Sequence, residues 1–145
     1  MPGMSFCRAD ETDIPVIYGL CKDLIDRYED RQAIDYEKVL QWVRQKIRDN
    51  ISDYTCVRTD NEKVAYYCMG FHDGQWELDD LYVLAPFRNR GIGEQIVRKC
   101  ISEVDAPLFL YVFNENHGAI RLYERLGFVK TKSVGKTRSI MYWQG

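Results

Sequence analysis

The chain of 145 residues contains only two histidines, His72 and His117, and its five cysteines form no C-x-x-C pair. So few imidazoles argue against a His/Cys zinc site, and no metal is expected. Cys7, Cys21, Cys56, Cys68 and Cys100 are an odd, scattered set in apolar stretches. They read as reduced core thiols of a cytoplasmic protein rather than as a disulfide framework. No apolar run approaches the roughly 18 residues of a membrane span, and the opening MPGMSFCR lacks the apolar centre of a signal peptide. A dominant charge is missing as well. Twenty Lys and Arg stand against 22 Asp and Glu, a net charge of −2, which gives no long-range pull on nucleic acid or an anionic membrane. Neither is expected as a partner.

What is present suffices for one domain over residues 1–145. Met4 to Ala9 reads as a short first strand. Asp10, Thr12 and Asp13 are cap-type residues ahead of Pro15, which is tolerated in a first helical turn. Ile14, Ile17, Leu20, Cys21, Leu24 and Ile25 then form a helical stripe. A second helix starts near Asp35, with Val39, Leu40, Val43 and Ile47 on its buried face and Trp42 as a candidate to join them. Tyr54–Thr59 and Lys63–His72 are strands joined by an Asp60-Asn61 turn. Asp73-Gly74 is a hairpin signal, and Gln75–Leu84 is the returning strand. A loop and a helix to about Val104 follow. Pro107–Phe113 has the apolar look of a central strand, and Asn116–Leu126 is a helix stopped by Gly127. Phe128–Lys132 and Thr137–Trp143 make a last hairpin. The order β-α-α-β-β-β-α-β-α-β-β implies an α/β fold built on a mixed sheet.

The segment LAPFRNRGIGEQIV, Leu84 to Val97, sets two arginines beside two glycines at a strand-to-helix junction. Such a junction aims main-chain N–H groups and the positive end of a helix dipole at one point. Glycine removes the Cβ that would keep a ligand away from that backbone, and Arg88 and Arg90 add mobile positive charge. The ligand suited to this is a phosphate or diphosphate; the plain alternative is a turn with two solvated arginines. A dinucleotide fingerprint is excluded, because Ile96 stands where its last glycine belongs. A P-loop is excluded too. Gly135-Lys136-Thr137 lacks the first glycine, where Lys130 stands, and leads into no helix.

Arg88-x-x-Gly91-x-Gly93 resembles the acyl-CoA-binding signature [RQ]-x-x-G-x-[GA] of the GNAT family of N-acetyltransferases, and Leu81-Tyr82-Val83 resembles the LYV segment ahead of it. Asn116, Ala119, Leu122, Tyr123, Gly127 and Phe128 match every defined position of the family's N-x-x-A-x-x-L-Y-x-x-x-G-F segment. The resemblance extends over nearly the whole chain. It implies a GNAT-like domain whose sheet splays between strands 4 and 5, here Gln75–Leu84 and Pro107–Phe113. It implies acetyl-CoA as co-substrate, with its diphosphate on the turn of Arg88, Asn89, Arg90, Gly91, Ile92 and Gly93. The pantetheine arm would lie against Leu81, Val83 and Asn116.

It also implies acetyl transfer to a primary amine by direct attack through a tetrahedral intermediate. The resemblance points to the Val83 N–H for the oxyanion and to Tyr123 for the departing thiolate. Asn116 and Tyr123 are seven residues apart and so share a helix face. At reference values a tyrosine hydroxyl is a weaker acid than a thiol by about 2 kcal/mol, which favours hydrogen bonding over full proton transfer. Without the resemblance, Tyr123 reads rather as a core residue beside Leu122 and Leu126. An alkylammonium is only about one part in a thousand neutral at pH 7, so a base helps. Glu77 and Asp79 share one strand face and are the candidates; a solvated acidic edge is the plain alternative. Val83 would join that face, and Asp80 would oppose it, unless a bulge intervenes. His117 is expected to be exposed and not a base.

For the acceptor, Asp26, Glu29, Asp30 and Asp35 could join Glu77 and Asp79 in an acidic mouth, although Arg27 and Arg31 interleave with them. Tyr28, Tyr36, Tyr66, Tyr67 and Trp76 could add an aromatic wall or belong to the core. A small-molecule amine is the leading acceptor. A protein lysine or N-terminal amine, and an acyl-CoA-binding module without turnover, are the alternatives. The last strand, Thr137–Trp143, offers alternating apolar residues for pairing across a homodimer.

Overall fold

The computed structural model describes residues 3–105 and 107–144. Met1, Pro2, Ala106 and Gly145, inside the domain expected over 1–145, lie outside the described residues. The elements are β1 (Ser5–Arg8), α1 (Ile14–Tyr28), α2 (Tyr36–Asp49), β2 (Tyr54–Thr59), β3 (Glu62–His72) and β4 (Gln75–Val83), then α3 (Ile92–Glu103), β5 (Leu108–Phe113), α4 (His117–Arg125), β6 (Val129–Val134) and β7 (Arg138–Trp143). That is the expected order. The turns obey their residues. Asp60, Asn61, Asp73 and Gly74 all take positive φ, the mirror-image turn that matches strand twist.

The described strands form one sheet in the order β1-β2-β3-β4-β5-β7-β6. Every pair is antiparallel except β4 with β5. Helices cover both faces. On one, Ile92, Ile96, Val97 and Cys100 of α3 and Tyr123 of α4 pack with Leu78, Leu108 and Leu110. On the other, Ile17, Ile25, Leu40, Val43 and Ile47 of α1 and α2 pack with Tyr54, Cys56, Tyr66 and Tyr82. Each fully buried aliphatic side chain here contributes about 1.5–3 kcal/mol. Trp42 does not join this face, being 65% exposed. β7 lies between β5 and β6, so both its backbone edges are used and it cannot pair across a dimer. The free edges are β1 and β6.

The α1 junction is fixed by charge. Asp10 accepts from the Thr12 N–H at 2.9 Å, and the Asp10 N–H donates to Asp13 at 2.9 Å, a reciprocal cap. Asp13, 3% exposed, also accepts from Lys63 Nζ at 2.7 Å and from the Tyr66 hydroxyl at 2.6 Å. Burial pushes its carboxyl up, but Lys63, Tyr66 and the Asp10 amide outweigh that and hold it below the usual range. The folded value lies under the unfolded one, so this stabilisation is present at neutral pH and is lost as pH falls through the folded value. Asp13→Ala strands the Lys63 and Tyr66 donors. It should lower urea-unfolding stability at pH 7 by about 2–3 kcal/mol, and the gap to the parent protein should narrow in acid.

Candidate active site

β4 and β5 pair only at Trp76↔Leu108 and Glu77↔Phe109, although β4 continues to Val83 and β5 to Phe113. The two strands diverge beyond Glu77. The cause is visible in the β3–β4 register, where Met69 opposes Leu78 and Cys68 opposes Asp80. Asp79 is the extra residue of a β-bulge, which bends its strand. The bulge also exchanges the faces. Leu78 belongs to the α3/α4 core, whereas Tyr82, four residues on, belongs to the α1/α2 core. Asp80 therefore shares the α1/α2 face with Glu77, and the Val83 side chain lies on the other face, packed against the α3/α4 core. Both orientations reverse those expected of an unbroken strand.

The divergence opens a cleft of about 890 Å³. Glu77, Asp79, Leu81, Val83, Arg88, Asn116 and Tyr123 all line it. The Leu84 N–H donates to Val64 O at 2.9 Å, so the alternation of an antiparallel pair turns the N–H and C=O of Val83 and Leu81 away from β3. With β5 diverged, they face the cleft. Arg88 Nε donates to Val83 O at 2.9 Å, which ties the turn to the end of β4.

Asn89, Arg90, Gly91, Ile92 and Gly93 form the turn into α3 and do not line the cleft itself. Asn89 and Gly91 hold φ of 64° and 78°, left-handed values that favour Asn and Gly. Arg90 lies over the Phe87 ring, 5.6 Å from its centroid. Ile92 is buried, so only its main chain is available. α2 and α4 are capped by the side chains of Asp35 and Asn116, but no side chain caps α3. Its first internal bond runs from the Gln95 N–H to Gly91 O, leaving the amides of Ile92, Gly93 and Glu94 ahead of it. A Cβ on Gly93 would meet Leu122 at 3.6 Å and Val83 at 3.9 Å, ordinary contact. The chain's own packing therefore does not require glycine there. A helix start with unspent donors, beside a glycine that packing does not demand, can receive an anion.

The floor of the cleft is acidic. Burial, then repulsion from Asp79, pushes the Glu77 carboxyl up; His72 Nε2 lies 3.4 Å away. Asp79 is bound by Lys46 Nζ of α2 at 2.9 Å. Asp80 accepts from the hydroxyls of Tyr54 and of Tyr82, the latter at 2.8 Å, with Lys46 at 3.9 Å. Burial holds Asp80 above the usual carboxylate range, against the pull of Lys46. Burial pulls Lys46 down, but Asp80 and Asp79 outweigh it and leave the ammonium above its usual value. Cys21, on the same lining, is pushed up to about 11 by burial and is an inert thiol. Tyr123 is 8% exposed, and burial raises its hydroxyl. Among the described residues that hydroxyl has no hydrogen-bond partner.

A model of the acetyltransferase (GNAT) family matches residues 17–128. The chain belongs to that family. Among solved structures it is similar to the PaiA N-acetyltransferase of Thermoplasma acidophilum in complex with coenzyme A, at 16% identity over 99% of each chain, TM-score 0.69. It is also similar to the ribosomal-protein-S18-alanine N-acetyltransferase of Escherichia coli, at 19% identity over 98% of this chain and 94% of that one, TM-score 0.70. An acetyltransferase of Thermus thermophilus aligns at 15% identity over 100% of both chains, TM-score 0.75. At such identities the likeness is one of fold. No match was found among curated proteins.

Within this GNAT fold the expected acidic mouth is largely dispersed. Asp26 bonds Lys22 and Tyr36, Asp30 bonds the Gln32 N–H, and Asp35 caps α2. Only Glu29, Glu77 and Asp79 of that set reach the cleft. Of the expected aromatic wall, Tyr28 alone lines it, while Tyr66 and Tyr67 are core. His117 is exposed, 3.3 Å from Glu115. Lys46 escaped the sequence reading, and Asp80, expected on the opposite face unless a bulge intervened, joins the face of Glu77 because the bulge is there. Lys46→Met leaves Asp79 and Asp80 without their cation. It should lower stability at pH 7 by about 2 kcal/mol, less than for a fully buried pair, because Lys46 keeps 24% exposure. The deficit should shrink on acidification as Asp80 takes up a proton, measurable by denaturation at pH 7 and pH 4.

Proposed function

We propose that residues 1–145 act as one GNAT domain that transfers an acetyl group from acetyl-CoA to the primary amine of a small molecule. The observation that carries this reading is the early end of the β4–β5 pairing. It sets the main-chain groups of Leu81 and the Val83 N–H, left without a β5 partner, along one wall, the open start of α3 at one end and Glu77 at the other. A long thioester with a diphosphate at its far end fits that order of groups. The diphosphate goes to the amides of the Arg88–Gly93 turn and the arm to Leu81, Val83 and Asn116.

The Val83 N–H is the donor for the oxyanion of the tetrahedral intermediate. Glu77 takes the proton that the amine becomes ready to lose as its lone pair forms the C–N bond. Asp79, already bound to Lys46, is the weaker candidate. Tyr123 hydrogen-bonds the departing thiolate. Its raised hydroxyl is a poor proton donor in full transfer and a sound hydrogen-bond donor.

A small acceptor is favoured by contacts that tie the end of α1 to the last hairpin and to β5. The Thr137 hydroxyl donates to Glu29 at 2.6 Å, and Tyr28 stacks on Phe113 with ring centroids 5.8 Å apart. This strap crosses one end of the cleft, which suits a small amine better than an extended peptide.

Calorimetry should show saturable binding of CoA by the folded protein, and no heat at millimolar CoA would refute the reading. Tyr123→Phe should keep CoA affinity and lose about tenfold to a hundredfold in kcat; an unchanged rate removes the role given to Tyr123. Glu77→Gln should lose a similar factor at pH 7 and recover as pH rises and the amine deprotonates in solution.

A further inference from the structure

Among the described residues the exposed large apolar side chains are Val16, Trp42, Phe71, Tyr111 and Val129. Two of them, Trp42 at 65% and Tyr111 at 45% exposure, line the same cleft. A lone exposed aromatic needs no explanation, but two that line one cavity do. Trp42 stands on α2 and Tyr111 on β5. Lys46 links the first to the floor, since its Nζ is 5.7 Å from the Trp42 ring centroid and 2.9 Å from Asp79.

The charges of the cleft limit the acceptor further. Asp79 is bound by Lys46, and Asp80 by Lys46 and two tyrosine hydroxyls. Glu29 is held by Thr137 in the strap, at the end of the cleft that Arg27 and Arg138 also line. Glu77 is the remaining acid of the lining, and it has no lysine or arginine partner among the described residues. One ammonium is therefore accommodated. Further positive charge on the acceptor would find no second unpartnered carboxylate on the lining and would meet Arg138, which lies over the Tyr111 ring, 5.6 Å from its centroid.

We infer that the acceptor is a small primary monoamine with an aromatic body, its ring held against Trp42 and Tyr111 and its amine turned toward Glu77. This rests on the transferase reading above. The chemistry is balanced by that reaction alone: the amine nitrogen gains the acetyl group and loses a proton, and the CoA sulfur leaves as the thiol. Polyamines and aminoglycosides are disfavoured because no second unpartnered carboxylate of the lining receives their further charges, and simple alkylamines lack the ring.

The test is a thiol-release assay with acetyl-CoA and five amines, tryptamine, 2-phenylethylamine, hexylamine, spermidine and kanamycin, with products verified by mass. The aromatic amines should exceed spermidine and kanamycin at least tenfold in kcat/KM. Trp42→Ala, a change at an exposed position, should raise KM for tryptamine about fivefold to tenfold, a loss of the size expected for one ring contact. It should leave hexylamine and CoA affinity nearly unchanged. Faster turnover of spermidine or kanamycin, or an unaltered tryptamine KM in Trp42→Ala, overturns the inference. So does CoA binding with turnover of none of the aromatic amines, an outcome that leaves the CoA site standing. Loss of both CoA binding and all turnover removes the transferase reading together with the inference.

Discussion

The parallel pairing of β4 with β5 ends at Glu77↔Phe109, and the rest of the site depends on that limit. Had the ladder run on to Val83, the main-chain groups of Leu81 and Val83 would have been spent on β5 and there would be no cleft. The residue that ends it is Asp79, which has no opposite number on β3. A single inserted residue bends the strand and turns its side chains over. Before it, Leu78 feeds the α3/α4 core; after it, Tyr82 feeds the other. Both cores stay filled, so the sheet opens without leaving either face unpacked.

The same insertion creates an electrostatic problem. Glu77, Asp79 and Asp80 all meet the α1/α2 side of the sheet, where the helices offer apolar residues. Three adjacent carboxylates there would repel one another and lose hydration together. Lys46 answers two of them, reaching Asp79 at 2.9 Å and Asp80 at 3.9 Å. Tyr54 and Tyr82 answer Asp80 with hydroxyls that burial keeps protonated, so they remain donors. Glu77 is left with the His72 imidazole as its nearest basic neighbour. The distribution is uneven in a useful way. Two acids are tied into the scaffold, and the third stays above the usual carboxylate range with its face to the cleft.

Element order was legible because each element carries a local cause. Asp35 and Asn116 start helices by capping them, Gly127 ends α4 at φ 100°, and the two mirror-image turns have their Asp and Gly or Asn. The Arg88–Gly93 turn and Tyr123 were legible through two spaced motifs. The face of Asp80 was not, because period-2 alternation fails at an insertion and nothing in a single strand states where its partner slips. Lys46 was hidden for a related reason. It lies 33 residues from Asp79 on a helix read only for its apolar stripe. Trp42 looked like a member of that stripe, and it is the cleft, rather than the core, that it faces. The position of β7 was misread because a last strand in sequence need not be a last strand in space. β6 takes the edge, and its residues Val129 to Ser133 are all exposed.

Tyr123 shows why a buried tyrosine need not be only packing. It touches Phe128, with ring centroids 5.6 Å apart, and belongs to the α3/α4 core, which is the plain reading of its sequence neighbours. Yet its ring also borders the cleft, and its hydroxyl carries no partner among the described residues. A hydroxyl that bonds nothing in the chain adds nothing to packing, so a fold optimised for packing alone would accept phenylalanine there. Desolvation makes the same group a weaker acid and, in a medium of low polarity, a stronger hydrogen-bond donor to an anion. A thiolate generated at that point has lost its own hydration and gains most from such a donor. The core location therefore serves the role proposed for it: packing fixes the ring, and burial keeps its proton in place.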